Sequence, residues 1–228
     1  MVITREFDEN EFLMMVTRKG TVKRIPFVSL KTNRKAGIRA ITLDEDDHLI
    51  NVIRTGGDDN IVLATAFGYA ICFNENDVRC MGRDAAGVRG IMLTDGDYVV
   101  GAEKAEEGKT LLTVTQNGYG KRTRIGEYSV QNRGGQGLKT YQITQKTGEI
   151  VGAKKVTGEE DILLVSDDGT IIRMEAGSIS LLGRATQGVR LMRPAEGAHV
   201  VAMARTEREA SEEETAEPGE SAVEITEE

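Results

Sequence analysis

Tryptophan is absent from this chain of 228 residues, and its aromatics amount to five Tyr and five Phe. A protein-recognition surface built on aromatic anchors has little to draw on here. Cysteine is scarce too. Cys72 and Cys80 stand outside any ligand spacing, which argues against a disulfide framework and fits a reduced compartment. The longest nearly apolar run, residues 61–73, is 13 residues long and contains Thr65 and Gly68, too short to span a bilayer. The opening residues, Met1-Val2-Ile3-Thr4-Arg5-Glu6, lack the apolar core of a signal peptide. These absences together predict a soluble, cytoplasmic protein.

Basic charge is missing from one stretch in particular. Residues 207–228 hold ten Glu and one Arg, a net of −9. The other 206 residues hold 28 basic and 27 acidic groups, so the formal net charge of −8 belongs to the tail and the body is close to neutral. A neutral body can still present a strongly basic face if its acids sit elsewhere. The tail, rich in Glu, Ser, Thr and Ala, has too little apolar surface to order itself. Two roles fit it: solubility, or competition with a polyanion for a basic surface.

Glycine, by contrast, is abundant and periodic. Four hairpin-like turns recur, Arg18-Lys19-Gly20-Thr21, Ala66-Phe67-Gly68-Tyr69, Gln116-Asn117-Gly118-Tyr119 and Asp167-Asp168-Gly169-Thr170, with their glycines 48, 50 and 51 residues apart. Asn-Gly and Asp-Gly predict type I′ turns, which need positive φ at both central residues. A second glycine follows each turn, set as Ala-Gly37-Ile-Arg, Ala-Gly87-Val-Arg, Gln-Gly137-Leu-Lys and Gln-Gly188-Val-Arg. No segment holds a helical period over three turns.

Each repeat reads instead as four short strands, over 12–17, 21–27, 37–43 and 49–54 in the first and over 61–65, 69–73, 87–93 and 98–102 in the second. Four strands per unit of about fifty residues is the spacing of a propeller-type blade. A blade cannot bury both faces alone, so blades must stack. The predicted fold is therefore all-β and propeller-like, with four four-stranded blades over residues 11–206. Residues 1–10 read as the end of a preceding blade, because Val2-Ile3-Thr4-Arg5 matches the closing strand at 200–205, and residues 207–228 as a disordered acidic tail.

Cations recur at equivalent places in this array. The loop before the second glycine holds Lys31, Arg34 and Lys35, then Arg79 and Arg83, then Arg133, then Arg184. Just after that glycine come Arg39, Arg89, Lys139 and Arg190. The strand after the hairpin adds Lys23 and Arg24, then Lys121, Arg122 and Arg124, then Arg173. Arranged around an axis, such positions make a ring of positive charge that follows a curved polyanion and releases its counterions. The competing reading is a set of solvated loop charges balanced by nearby acids. The third repeat carries a further loop, Gln131-Asn132-Arg133-Gly134-Gly135-Gln136-Gly137, whose glycines let a backbone or a ligand approach closely.

That loop resembles the seven-residue box in the C-terminal domain of the DNA gyrase A subunit, Gln-Arg-Arg-Gly-Gly-Lys/Arg-Gly, with Asn132 and Gln136 in place of two cations. Residues 77–83, followed by Gly87-Val88-Arg89-Gly90, look like later blades of the same domain. The resemblance covers residues 2–205. It implies a β-pinwheel, with strands exchanged between neighbouring blades, that wraps double-stranded DNA around its basic rim and supports negative supercoiling. It also implies that the four repeats are the third to sixth of six blades. The implied partners are DNA, the gyrase B subunit, and the remainder of the A subunit. By the same resemblance, ATP and Mg belong to the rest of the holoenzyme, with no cofactor in this chain, and the isolated fragment is a monomer.

Catalysis finds no support in the residues themselves. The family's cleavage tyrosine lies in a different region, and none of Tyr69, Tyr98, Tyr119, Tyr128 or Tyr141 sits in a similar motif. His48 and His199 enter the last strand of their repeats without ligand partners nearby, and residues 44–47 lack the alternating spacing of a calcium loop. The alternatives are the equivalent C-terminal domain of topoisomerase IV and a protein-interaction propeller. A carbohydrate-active propeller needs paired carboxylates at a pocket, and the acids here fall in turns.

Overall fold

The repeating turns set the architecture. The computed structural model describes Thr4 and residues 6–208. The first repeat forms β1 (Phe12–Thr17), β2 (Thr21–Pro26) and β3 (Leu49–Thr55). The second forms β4 (Asn60–Thr65), β5 (Tyr69–Asn74), β6 (Val88–Arg89) and β7 (Val99–Lys104). The third forms β8 (Thr110–Thr115), β9 (Tyr119–Arg124), β10 (Leu138–Lys139) and β11 (Ile150–Val156). The fourth forms β12 (Asp161–Ser166), β13 (Ile171–Glu175), β14 (Val189–Arg190) and β15 (Val200–Thr206).

The hairpins differ from the expected type. Gly20, Gly68, Gly118 and Gly169 all have positive φ, but no described non-glycine residue does, so Asn117 and Asp168 do not enter the left-handed region. Each turn is closed by the glycine N–H donating to the residue three before it, as Gly118 N donates to Thr115 O at 2.9 Å. This is the pattern of a type I turn followed by a left-handed glycine, not of a type I′ turn. A strand-end hydroxyl locks three of them: Thr17, Thr65 and Thr115 Oγ1 accept from the N–H four residues on, at 3.2–3.3 Å.

Strand pairing crosses the repeat boundary. The sheet orders are β3-β1-β2-β6, β7-β4-β5-β10, β11-β8-β9-β14 and β15-β12-β13. The outermost strand of each of the first three sheets therefore comes from the following repeat. The register is the same each time: Arg89 faces Thr21, Lys139 faces Tyr69 and Arg190 faces Tyr119. The exchange fixes a β-pinwheel. It also shortens the predicted third strand to two paired residues. In the first repeat the equivalent segment, residues 37–43, forms no strand at all, and among the described residues no blade precedes it.

Strand alternation places the core between blades. Met14 and Val16 of β1 pack with Ile61 and Leu63 of β4 in one cluster, while Val62 and Ala64 face the third blade with Leu111. Leu112 and Val114 then meet Ile162 and Leu164 of the fourth blade. On the outer side of the first blade, Leu13, Met15, Ile25 and Phe27 are covered by Ile41 and Phe7. Phe7, in the stretch expected to close a preceding blade, thus packs on the first blade, its ring 4.9 Å from that of Phe27. The rest of that expectation, at Val2-Ile3 and Arg5, and the tail from residue 209 onward lie outside the described residues. The inner strands β3, β7, β11 and β15 pack side by side in that order. No described helix is long and apolar enough to cross a membrane.

Candidate nucleic-acid interface

The exchanged strands carry the recurring cations to the edge of each sheet farthest from the inner strands. Arg89, Lys139 and Arg190 occupy the outermost strand of their sheets, and all three are exposed. Lys31, Arg34, Lys35, Arg39, Arg79 and Arg83, in the loops leading to those positions, are exposed as well. Arg184 is half-buried. No guanidinium or ammonium group of these ten lies within 4.0 Å of a described carboxylate, although the backbone N–H of Arg184 donates to Glu127 Oε2 at 3.3 Å. Arg190 instead donates to Tyr119 Oη and stands 4.8 Å from that ring's centroid.

A second set of cations, which the sequence reading did not separate from the first, sits on the inner strands and is paired. Arg54 of β3, Lys104 of β7, Lys155 of β11 and Arg205 of β15 hold equivalent places, each with an acid at the start of a repeat: Glu11, Asp59, Glu106 and Glu160. The Lys104–Asp59 and Lys155–Glu106 pairs measure 3.0 and 2.6 Å. Lys155 beside Glu106 holds that carboxyl below its ordinary range. The near-neutral body therefore divides its charge, with acids balancing cations near the axis and rim cations left unbalanced. The only signal of this in sequence was the recurrence of Glu or Asp ahead of each first strand, directly before it at Glu11, Asp59 and Glu160 and four residues before it at Glu106.

Three predicted site residues do different work. Lys121 is fully buried, and its ammonium donates to Gly183 O at 2.7 Å, to Thr186 Oγ1 at 3.0 Å and to Arg184 O. Burial pushes it down to about 8. It clamps the loop of the fourth repeat that leads into β14, and so cannot reach a ligand at the surface. Arg122, half-buried, donates to Ile179 O and Gly177 O, each at 2.8 Å, for the same purpose. Lys23 repeats the clamp at the first joint, on Arg83 O and Ala85 O at 2.6 and 2.8 Å. Arg24 is buried with Glu75, Nε lying 3.0 Å from Oε2 but off the hydrogen-bond direction, so the contact is an ion pair. Glu75 also accepts from Thr55 Oγ1 and from the N–H groups of Gly57 and Asp59 at 2.6–2.8 Å.

Arg133 is the third. Its Nε donates to Asp77 O at 2.8 Å and its Nη1 to Arg89 O at 2.9 Å, so the guanidinium is committed to backbone. The glycines around it serve the same joint. Gly134 N donates to Gly90 O at 2.7 Å, and Met92 N donates to Gly135 O at 2.9 Å. The loop Gln131–Gly137 is thus a stitch between consecutive exchanged segments. Asn132 and Gln136, the two positions where the resembled box has cations, are the exposed ones. The exposed Arg193, just past β14, joins the unpaired rim set and was not anticipated.

Other candidate chemistry does not assemble. Asp47, in the acidic turn, is buried and accepts from Lys19 N and His48 N at 2.9 and 2.8 Å, which makes it a turn lock. No group of three His, Cys, Asp or Glu suited to a metal occurs among the described residues. Burial pushes the Cys72 thiol up to about 11, which leaves it unreactive at neutral pH.

Fold and rim together define a strand-exchanged β-pinwheel with an unbalanced basic edge. The chain belongs to the DNA gyrase C-terminal domain β-propeller family, whose model matches residues 11–55, 59–106, 109–157 and 160–207. It is similar to the DNA gyrase A subunit of Lawsonia intracellularis, 45% identical over 204 residues that make up 88% of this chain and 25% of that protein. It is 44% identical to the same subunit of Staphylococcus epidermidis over 212 residues, 92% of this chain and 24% of that one. The chain thus spans about a quarter of the length of these relatives. Among solved structures, a topoisomerase IV C-terminal domain matches with a TM-score of 0.84 at 26% identity, covering 90% of this chain and 65% of that one. A DNA gyrase A C-terminal domain matches with a TM-score of 0.78 at 28% identity, covering 89% and 68%.

Proposed function

We propose that this chain is a DNA-binding and DNA-wrapping module of the kind carried by the A subunit of DNA gyrase. In that setting it would support negative supercoiling by an ATP-dependent type II topoisomerase whose cleavage and ATP chemistry, with its Mg, lie in other parts of the assembly. Its partners are then double-stranded DNA, the B subunit, and the remainder of the A subunit, in the cytoplasm. The observation that carries this reading is the segregation of charge, with rim cations free of carboxylates while equivalent inner cations are paired.

The physics follows from that arrangement. Unpaired exposed cations neutralise phosphates and release condensed counterions, a term indifferent to sequence. Repetition of Arg89, Lys139 and Arg190 at one register spreads the contacts along a curved path. Bending a duplex over such a path costs on the order of several kcal/mol, which many weak contacts together offset. The similarity to the gyrase protein, at 45% identity, favours gyrase over topoisomerase IV as the parent.

The test is a salt series of DNA binding. Wild-type log affinity should fall linearly with log salt, by about 0.9 per phosphate contact. The triple change Arg89→Glu, Lys139→Glu and Arg190→Glu should remove most affinity with an unchanged melting curve, whereas Arg54→Gln with Arg205→Gln should leave it nearly intact. Equal loss in both variants would mean that the rim is not the DNA surface.

A further inference from the structure

One position is arginine at all three strand-exchange joints, four residues ahead of the second glycine: Arg83, Arg133 and Arg184. The strand beneath it carries a matching position, three residues past the turn glycine, and there the residue changes: Lys23, Ile71 and Lys121. All three of these are fully buried. The two positions face each other at each joint. Lys23 Nζ donates to Arg83 O at 2.6 Å, and Lys121 Nζ donates to Arg184 O. Ile71 packs on the same loop, where a Cβ on Gly135 would lie 4.0 Å from its Cδ1 and one on Gly137 3.1 Å from its Cβ, but it has no donor to give.

The arginine differs according to what lies beneath it. At the third joint both backbone groups of Arg184 are held. Its carbonyl accepts from Lys121, and its N–H donates to Glu127 Oε2 at 3.3 Å. Its guanidinium has no hydrogen bond or ion pair among the described residues. At the second joint the guanidinium of Arg133 does the holding itself, on Asp77 O and Arg89 O of the exchanged segment before it. The matching segment before Arg184, residues 127–139, is equally in place, with β10 paired to β5, yet Arg184 makes no such bond. The neighbouring residues change in step: Thr186, whose Oγ1 is a third acceptor for Lys121, is Gly135 at the second joint. Covered loop carbonyls need donors. A buried ammonium supplies three from below and releases the arginine, whereas over an isoleucine the arginine is consumed.

We propose that Lys121 is a positioning residue for DNA binding, holding the backbone of Arg184 so that its guanidinium reaches a phosphate, and that Arg133, at the same place one repeat earlier, makes no DNA contact. The inference rests on the DNA-binding reading above. Lys23 builds the same clamp under Arg83. Arg89, Lys139 and Arg190 then form an unbroken row along the rim, while the row of Arg83 and Arg184 skips the second joint.

Salt series of duplex binding by the full 228-residue chain test it. Arg184→Gln should lower the slope of log affinity against log salt by about 0.9, the loss of one phosphate contact, and leave the melting temperature unchanged. Arg133→Gln should do the reverse, keeping the slope and lowering the melting temperature, because two backbone acceptors lose their donor. In a Lys121→Met background, Arg184→Gln should change the slope by less than half as much as in wild type. A clamp that only stabilised the fold would leave the effect of Arg184→Gln the same in both backgrounds. Equal slope losses from Arg133→Gln and Arg184→Gln, or additivity with Lys121→Met, would overturn the inference, and a wild type that still binds would keep the DNA-binding reading. A wild type that binds no duplex would overturn both. The two arginine variants alter no fully buried side chain, so they decide the matter if Lys121→Met does not fold.

Discussion

The ammonium groups of Lys23 and Lys121 are held mainly by backbone carbonyls of the next repeat, with Ala40 O of its own repeat added for Lys23 and Thr186 Oγ1 for Lys121, and no described carboxylate lies at ion-pair distance. Burial lowers both, Lys121 to about 8. For a lysine lowered on folding, the unfolded chain binds the proton more tightly, so the stability penalty is full below about 8 and is relieved as pH rises towards 10.5. Lys121→Met should therefore be destabilised by about 1–3 kcal/mol near pH 10, where the neutral amine's two N–H bonds are lost at no desolvation gain, and by less near pH 7.5. Urea unfolding at both pH values measures the gap, and a gap that narrows with pH would contradict this origin. Glu75→Ala, which leaves Arg24 buried without its partner, should cost about 3–5 kcal/mol in the same assay. At the surface, Asn132→Arg with Gln136→Lys should tighten DNA binding and steepen the salt slope by about one unit per new phosphate contact. Sequence alone placed Lys121 among the rim cations because repetition reveals position along the strand and not depth. Arg89, Lys139 and Arg190 were legible, since the glycine before each fixes where it emerges. The double duty of Arg133 was not, because its acceptors, Asp77 O and Arg89 O, lie 56 and 44 residues away.

Strands β1, β2 and β4, β5 were readable from alternation and from the glycine between them, because a hairpin is a local object. The exchanged strands were not readable as strands. Two paired residues give no alternation, and their partners lie in another repeat, so the exchange was implied only by resemblance. The turn type was misjudged for a related reason: Asn117-Gly118 favours a type I′ turn in isolation, but the Thr115 hydroxyl and the bulge beside it select a type I turn with a left-handed glycine. The joints make a sharp prediction about elements. Gly137→Ala meets both a positive φ and a backbone carbonyl, so it should cost well over 2 kcal/mol and loosen β10 from β5. Gly37→Ala meets only the φ, with open space around it, and should cost about 1 kcal/mol. Thermal melts compare the two, and hydrogen exchange at Leu138 and Lys139 reports the joint directly. Equal costs would mean that close approach does not matter there.

For the whole molecule, the division of charge between axis and rim governs how it meets a polyanion. Removing residues 207–228 takes away a net charge of −9 and leaves the near-neutral body with its unbalanced rim. DNA affinity of that truncated chain should rise at low salt and converge with wild type at high salt, as screening shortens the reach of the tail. Fluorescence anisotropy at both salt levels reads this, and an unchanged affinity would leave solubility as the tail's role. The strand exchange has a consequence of another kind. The genetic unit of this array and its folded unit are out of phase by one strand, because the second, third and fourth repeats each encode three strands of their own blade and one of the blade before. Excising a whole repeat, such as residues 59–106, removes one donor and one acceptor together and leaves the neighbours able to join. Cutting a blade along its folded boundary instead strands half a joint on each side. Arrays of this design can thus change length by gene duplication or loss in whole repeats with the strand exchange preserved, while no single blade can be lifted out intact.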